Sequence, residues 1–271
     1  MKRGAVLAAA LAAVLASGTL LVSCSQAPEQ AASTPAQQET EAPQTASACT
    51  TVTFEDSSLI DCVADPALHR IGMVLAGADD APFRSFAAYS AARGADDAPV
   101  AFAVNGGMFD ADGGPIGYYV ENGDRGHALS RTDGPGNFHM KPNGVFFGDA
   151  AGNWRVLDSE TFYHEITERP QFGTQSGPML LIAGELHPGI TPNGESLKIR
   201  NGVGVDGQGR AHFVLSTQPI SFGRMARYYR DVVGAADALF LDGQVSQLWD
   251  PAAGRMDNGV PIGPIIVVEM R

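Results

Sequence analysis

Of 271 residues, 44% are apolar by type, and 30 acidic residues outweigh 18 basic ones for a formal net charge of −12. A chain this acidic excludes nucleic-acid binding, which depends on clustered Lys and Arg. It also singles out any basic residue that sits inside a polar motif.

Lys2 and Arg3 precede an Ala/Leu/Val-rich run to Val22, followed by Ser23-Cys24. A short basic region, an apolar core and small residues before a cleavage point describe a secretory signal. The apolar run is long enough to span a bilayer, but Leu21-Val22-Ser23-Cys24 is similar to a bacterial lipobox. Residues 1–23 are therefore read as a lipoprotein signal, with Cys24 lipidated and anchored to the membrane. Ser25 rather than Asp follows the cysteine, which is an outer-membrane address facing the periplasm if the host is Gram-negative. Residues 25–47 are Gln, Ala, Pro, Glu, Ser and Thr with almost no large apolar side chain, so 24–47 reads as the lipidated Cys24 and a disordered tether. Residues 48–271 remain for one domain with a full core. Export permits a disulfide. The stretches around Glu55-Asp-Ser-Ser58 read as a hairpin, and a turn centred on Glu55-Asp56 sets Cys49 opposite Cys62. We expect a structural Cys49–Cys62 bridge; no Cys-x-x-Cys redox pattern is present.

In chain order, Ile71–Leu75 reads as a strand. A helix follows, capped by Asp79-Asp80, with Phe83, Phe86, Ala87 and Ser90 on one face and Gly94 at its end. Val100–Val104 is a buried-strand run that stops at Asn105-Gly106-Gly107. Alone, Asn-Gly is a hairpin signal; glycine also lets backbone approach a ligand closely. Asp110-Ala-Asp112-Gly113 starts like a calcium loop but lacks the required glutamate. Ile116–Val120 reads as a strand ending at Glu121. His139, Lys141 and Asn143 form a polar cluster before the strand Val145–Phe147, and Trp154–Leu157 is a further strand.

Gln175-Ser176-Gly177-Pro178 precedes the apolar run Met179–Ile182. It is not the hydrolase elbow, because a strand follows instead of a helix. Gly202, Gly204 and Gly207 satisfy Gly-x-Gly-x-x-Gly, yet no helix follows them, so no dinucleotide site is expected. Ala211–Leu215 is the next strand. Ser221 caps a helix whose buried stripe is Phe222, Met225, Tyr229 and Val232, with Arg227 and Asp231 pairing on the wet side and Gly234 at its end. Ala238–Leu241 is a strand ending in Asp242-Gly243, and Ile265–Val268 closes the sheet. Strands run together without alternating helices. The expected fold is α+β: one domain with a twisted, mostly antiparallel or mixed sheet core and a few packed helices.

Asn105, Gln175, Ser176 and Asp242 sit beside glycines at the ends of apolar strands, and Arg200 opens a strand in the same style. Convergence at one sheet edge would combine a carboxylate, a guanidinium and several neutral hydrogen-bonding groups. That set suits an anionic, hydroxyl-rich ligand. None of the six histidines has metal-ligand spacing, so neither a metal nor another cofactor is expected.

Asn105-Gly-Gly-Met-Phe, Lys141-Pro-Asn-Gly-Val-Phe, Gln175-Ser-Gly-Pro, Arg200-Asn-Gly-Val-Gly-Val and Ala238-Leu-Phe-Leu-Asp-Gly-x-x-Ser occur in this order. Together they resemble the phosphodiester glycosidase family, in a bacterial lipoprotein branch. The resemblance implies an envelope-anchored hydrolase that cleaves a sugar-1-phosphodiester in a glycan or phosphoglycan. The alternative is a glycan-binding lipoprotein without catalysis. Many members carry Asp-Gly-Gly-Gly-Ser-Ser at the last motif, where this chain has Asp242-Gly243-Gln244-Val245-Ser246-Gln247. The expected roles are Asp242 as the catalytic carboxylate, Arg200 on the departing phosphate and Glu121 as reserve carboxylate. Asn105, Gly106, Gly107, Lys141, Asn143, Gln175, Ser176, Gly177, Gly243 and Ser246 are expected to bind substrate.

Overall fold

The computed structural model describes residues 46–271; the signal, Cys24 and all but the last two residues of the tether lie outside the described residues. Ser47 already belongs to the domain, its hydroxyl donating to Asp250 at 2.6 Å. The elements run β1 (Cys49–Phe54), β2 (Ser57–Ala64), β3 (His69–Val74), α1 (Phe86–Ala92), β4 (Val100–Asn105), β5 (Tyr119–Glu121), β6 (Asp124–His127), β7 (Gly144–Gly148) and β8 (Trp154–Asp158). Then come α2 (Ser159–Glu165), β9 (Phe172–Ser176), β10 (Met179–Ile182), β11 (Glu185–Leu186), β12 (Asn201–Val205), β13 (Ala211–Ser216), α3 (Phe222–Tyr228), β14 (Ala238–Phe240), β15 (Leu248–Asp250), β16 (Arg255–Met256) and β17 (Ile265–Met270).

These strands form three antiparallel sheets: seven strands in the order β1-β2-β13-β12-β14-β10-β11, five in the order β16-β15-β4-β17-β3, and five in the order β6-β5-β9-β7-β8. Side chains alternate between two faces along a strand, and here both faces are buried. Phe102 and Val104, Phe213 and Leu215, and Phe146 point into one shared core, whereas Ala103, Val214, Val145 and Phe147 point the other way. Phe213 touches both Phe102 and Phe146 edge-on, at ring separations of 5.5 and 5.6 Å. The three sheets meet at these rings.

Each outer face is covered by one helix. Phe86 and Tyr89 of α1 cover the second sheet beside Trp249, Phe162 of α2 covers the third between Tyr118 and Phe147, and Met225 and Tyr228 of α3 cover the first. This double burial explains why the strands read as continuous apolar runs instead of alternating ones.

The fold is the expected single α+β domain, with local corrections. Ser85, not Asp79 or Asp80, caps α1 by accepting the Ala88 N–H, so Phe83 lies before the helix. Residues 116–118 are not strand; β5 starts at Tyr119. Before Met179–Ile182 lies a further strand, β9, which includes Thr174-Gln175-Ser176. β17, the last strand of the chain, lies between β4 and β3. Beyond α3 the helix widens into a π turn over Tyr229–Val233, ended by left-handed Gly234 (φ 72°). The extra residue rotates Val232 out of the stripe, leaving it 56% exposed. Arg227 pairs with Glu55 and Asp231 with Arg230, in place of the expected helix pair.

The hairpin is as read. Glu55 and Asp56 both have positive φ (45° and 61°), the geometry of a two-residue turn matched to strand twist. Phe54 pairs with Ser57, and the register carries through to Cys49 opposite Cys62, which are joined by a disulfide.

Candidate active site

β12 and β14 are neighbours with Gly202 opposite Phe240. Continuing that register by two residues sets Arg200 opposite Asp242 on the same face. Both line a cleft of ≈ 620 Å³, together with Lys198, Asn137, Met108, Phe222 and Gln244.

Arg200 is 2% exposed. Its guanidinium carbon lies over the Phe222 ring, 3.6 Å from the ring centroid. Nε donates to the Ile220 carbonyl and Nη2 to the Ser196 carbonyl, both at 2.8 Å. Nη1 has no protein partner among the described residues, and no carboxylate pairs with the side chain there. Burial lowers its pKa to about 10, so it remains charged near neutrality. A buried cation without a counter-ion is costly unless an anion arrives. Lys198, two residues earlier and exposed, adds a second positive charge to the cleft.

Asp242 follows β14 and begins a short turn, its Oδ1 accepting the Gln244 N–H at 3.2 Å. Burial raises its pKa, and the Gln244 bond offsets part of that rise. It is the one carboxylate among the described lining residues of the cleft.

The polar residues around Asp242 hold its backbone. Asn105 Nδ2 donates to the Asp242 carbonyl (3.1 Å) and Ser176 Oγ to the Leu241 carbonyl (3.2 Å). Asn105 Oδ1 accepts from Asn201 Nδ2 (2.9 Å) and the Gln247 N–H (3.0 Å). Ser246 Oγ donates to the Gly243 carbonyl at 3.0 Å. Gln175 uses its whole amide: Oε1 accepts the Tyr118 and Ser130 N–H groups, and Nε2 donates to the Ser130 carbonyl and Ser159 Oγ. Asn105, Asn201 and Ser176 converge on the Leu241–Asp242 backbone, whereas the Gln175 amide is bonded to other partners. They come from all three sheets instead of one edge, and their polar atoms are bonded to protein where open groups facing substrate were expected.

The glycines serve close approach. Neither Gly106 nor Gly107 has positive φ, so Asn105-Gly-Gly is not a hairpin turn. A Cβ on Gly107 would lie 2.2 Å from the Gln175 carbonyl oxygen, which only glycine avoids. Gly106 donates to the Pro264 carbonyl. Gly177 packs under Asn143 and the Phe138 carbonyl, and Gly243 lines the cleft.

Three expected residues lie elsewhere. Lys141 Nζ is bound by Asp133 (2.7 Å) and the Arg131 carbonyl (2.8 Å), in a small depression it shares with buried Asn143. Glu121 bonds the Tyr119 hydroxyl, and burial raises its pKa, but it does not line the cleft. Conversely, Lys198, Asn137 and Asn201 went unnoticed in the sequence. Lys198 was within reach, since two residues before Arg200 is the same face of an extended chain. Asn201 and Asn137 carry no local signal; the fold brings them in. Another cleft of ≈ 600 Å³, beside Ala48 and Leu68, is mostly apolar, and its His69 is bonded to the Asp65 N–H. It lacks a paired carboxylate and guanidinium.

Residues 98–264 match the phosphodiester glycosidase family model. The chain belongs to the phosphodiester glycosidase family. The matched segment contains Asn105, Arg200 and Asp242. The chain is also 43% identical over 174 residues to the uncharacterized protein YigE of Escherichia coli strain K12, covering 64% of this chain and 66% of that one, just under two thirds of the relative's length. Among solved structures, the zebrafish N-acetylglucosamine-1-phosphodiester α-N-acetylglucosaminidase catalytic domain, auto-inhibited by its pro-peptide, has the same fold. Its TM-score is 0.56 at 12% identity, over 82% of each chain. A hypothetical protein from Synechocystis matches with a TM-score of 0.51 at 12% identity, over 82% of this chain and 61% of that one.

Proposed function

We propose that this phosphodiester glycosidase binds a sugar-1-phosphodiester of a glycan with its phosphate on Arg200 and Lys198 and its anomeric carbon beside Asp242. The observation that carries this reading is a buried guanidinium with a free Nη1 and no carboxylate partner, in the same cleft as a single carboxylate made more basic by burial. Arginine binds phosphate oxygens through paired N–H groups.

One carboxylate suffices because of the leaving group. Glycosidases that expel an alcohol use a second carboxylic acid to protonate it. A phosphate monoester, with a second pKa near ~6, leaves without that help. The bond from C1 to the phosphate oxygen breaks, and its electron pair departs with the phosphate held on Arg200. Water oxygen bonds to C1, and Asp242 accepts the water proton, a role its raised pKa favours. The products are a free sugar and a phosphate monoester. Asn105, Asn201, Ser176 and Ser246 act as positioning residues for the Leu241–Asp242 backbone. The zebrafish enzyme's name makes N-acetylhexosamine phosphodiesters the first substrates to try.

The Cys49–Cys62 disulfide fits a protein that works outside the cytoplasm. We extend this to anchoring in the cell envelope through lipid on Cys24, with the substrate an envelope glycan or phosphoglycan. No helix among the described residues is long and apolar enough to cross a membrane.

The test incubates the detergent-solubilised full chain with N-acetylhexosamine- and hexose-1-phosphodiesters and follows products by phosphorus NMR. Asp242→Asn is expected to lower turnover at least about a hundredfold while leaving the melting temperature unchanged or raised, because it removes a charge that burial disfavours. For wild type, the rate is expected to fall as pH drops through a pKa above the ordinary aspartate range. Absence of turnover across the panel, with both proteins folded, overturns the reading.

A further inference from the structure

Most basic side chains of the domain are paired with carboxylates: Arg93 with Glu269, Arg155 with Glu165, Arg210 with Asp206, Arg227 with Glu55 and Arg255 with Asp257. Arg125 and Arg169 have no carboxylate partner among the described residues. Both line a second cleft, of ≈ 460 Å³, with Tyr118, Tyr163, Arg131 and Glu168. Two unpaired guanidinium groups facing one concavity are unexpected in a chain of net charge −12.

The surroundings fit a charged sugar. Arg169 uses Nη1 on the Gly123 carbonyl at a long 3.3 Å, which leaves Nη2 and Nε open. Tyr118 lines the cleft beside both arginines; burial pushes its phenol up, and the charges of Arg125 and Arg169 pull it back down. Arg131 is held by Glu160 through two bonds and braces the Tyr163 ring, 4.1 Å from its centroid. Tyr163 is 55% exposed and presents aromatic surface to the apolar face of a sugar ring. Glu168 forms no ion pair among the described residues and is an acceptor for hydroxyls beside the anion.

The two clefts are neighbours along the chain. Ile116 lines the Asp242 cleft and Tyr118 the second one, so at most roughly 7 Å of backbone separates them. A single segment after β6, residues 129–137, supplies Leu129 and Arg131 to the second cleft and Gly136 and Asn137 to the first.

We propose that the cleft formed by Arg125, Arg169, Tyr118 and Tyr163 is a second, non-catalytic site for an anionic sugar unit of the substrate chain, a ring bearing phosphate or carboxylate. The role as a substrate subsite rests on the proposed glycosidase reading; binding of the anionic ring does not. The two guanidinium forks take the anion, and the aromatic wall takes the ring. A polymer anchored here presents its glycosyl phosphate to Asp242 at raised effective concentration.

Two measurements test this. In the full-length Arg200→Gln protein, where the first cleft lacks its buried cation, glucose 6-phosphate, glucuronate and neutral glucose are titrated calorimetrically. Either or both anionic sugars are expected to bind, which identifies phosphate or carboxylate as the recognised group, and glucose is not. Adding Arg125→Ala and Arg169→Ala is expected to weaken binding about tenfold or more, with partial rescue by the two Lys variants and an unchanged melting temperature. Equal affinity with and without the two arginines, or no anion binding at all, overturns the proposal. Separately, in an otherwise wild-type chain, Arg125→Ala/Arg169→Ala is expected to raise KM for a poly(glycosyl phosphate) about tenfold and leave kcat and the kinetics of a single sugar-1-phosphodiester unchanged. Binding without any turnover would sink the glycosidase reading and keep this site. Turnover that ignores both arginines on the polymer would sink the subsite role and keep the glycosidase.

Discussion

Arg200 and His212 are both buried basic side chains, and their neighbours assign them opposite roles. Arg200 has carbonyls and an aromatic ring around it, so its charge waits for an anion from outside. His212 sits between two carboxylates. Nδ1 contacts both oxygens of Asp61 at 3.0 and 3.1 Å and Nε2 contacts Asp206 at 3.4 Å; Tyr228 also donates to Asp61, and Arg210 to Asp206. Burial alone would lower the His212 pKa, but Asp61 and then Asp206 outweigh it and raise the value. A histidine raised on folding contributes stability in full below its unfolded value near ~6.5 and loses it as pH climbs through the folded value. We expect the melting temperature to fall across that window, and His212→Gln to flatten the fall. An identical pH profile in the variant would show that the two carboxylates do not hold a proton on this ring.

Among the elements, the β1–β2 hairpin was the most legible. Its turn residues and cysteine spacing are local, and the pairing of Cys49 with Cys62 follows from register alone. The bridge closes a loop across a sequence separation of 13, for which removal costs roughly 2–4 kcal/mol. A Cys49→Ser/Cys62→Ser double variant should therefore lower the unfolding free energy from urea titration by that amount; an unchanged free energy would leave the bridge without a structural role. α3 was legible up to Tyr229 because its stripe has helical spacing. The π turn after it was not: Val232 is ejected by one inserted residue that no propensity marks. β9 carries no clear strand signal, because Gly173 and Gly177 flank the polar Thr174, Gln175 and Ser176. They are stable in a strand because each finds a buried partner on another segment.

At the scale of the molecule, the core is where three sheets converge on Phe102, Phe146 and Phe213. Phe213 bridges the other two rings and is 2% exposed. Phe213→Ala is expected to cost about 3–5 kcal/mol, read as a lowered urea midpoint with an unchanged slope. A loss near that of an exposed substitution would mean the sheets are held elsewhere. The convergence also builds the active site. The Asp242 carbonyl is held from β4, the Leu241 carbonyl from β9, and Arg200 stands across from Asp242 on the next strand of the first sheet.

By itself the sequence determined the α+β class, most strand runs, the hairpin and its disulfide, the family motifs, and Arg200 and Asp242, two of the three charged residues that line the cleft. Each of these is carried by local spacing, by side-chain chemistry or by a motif continuous along the chain. Tertiary structure alone decided which polar residues face the cleft and which stand behind it. Asn105, Gln175 and Ser176 have the chemistry of ligand-binding groups, and nothing in their own stretches says that protein atoms 40 to 140 residues away already fill their hydrogen bonds. It decided likewise that Lys141 and Glu121 lie outside the cleft and that Lys198 lies within it, because a side chain's neighbours depend on how separate sheets pack, which no single segment encodes.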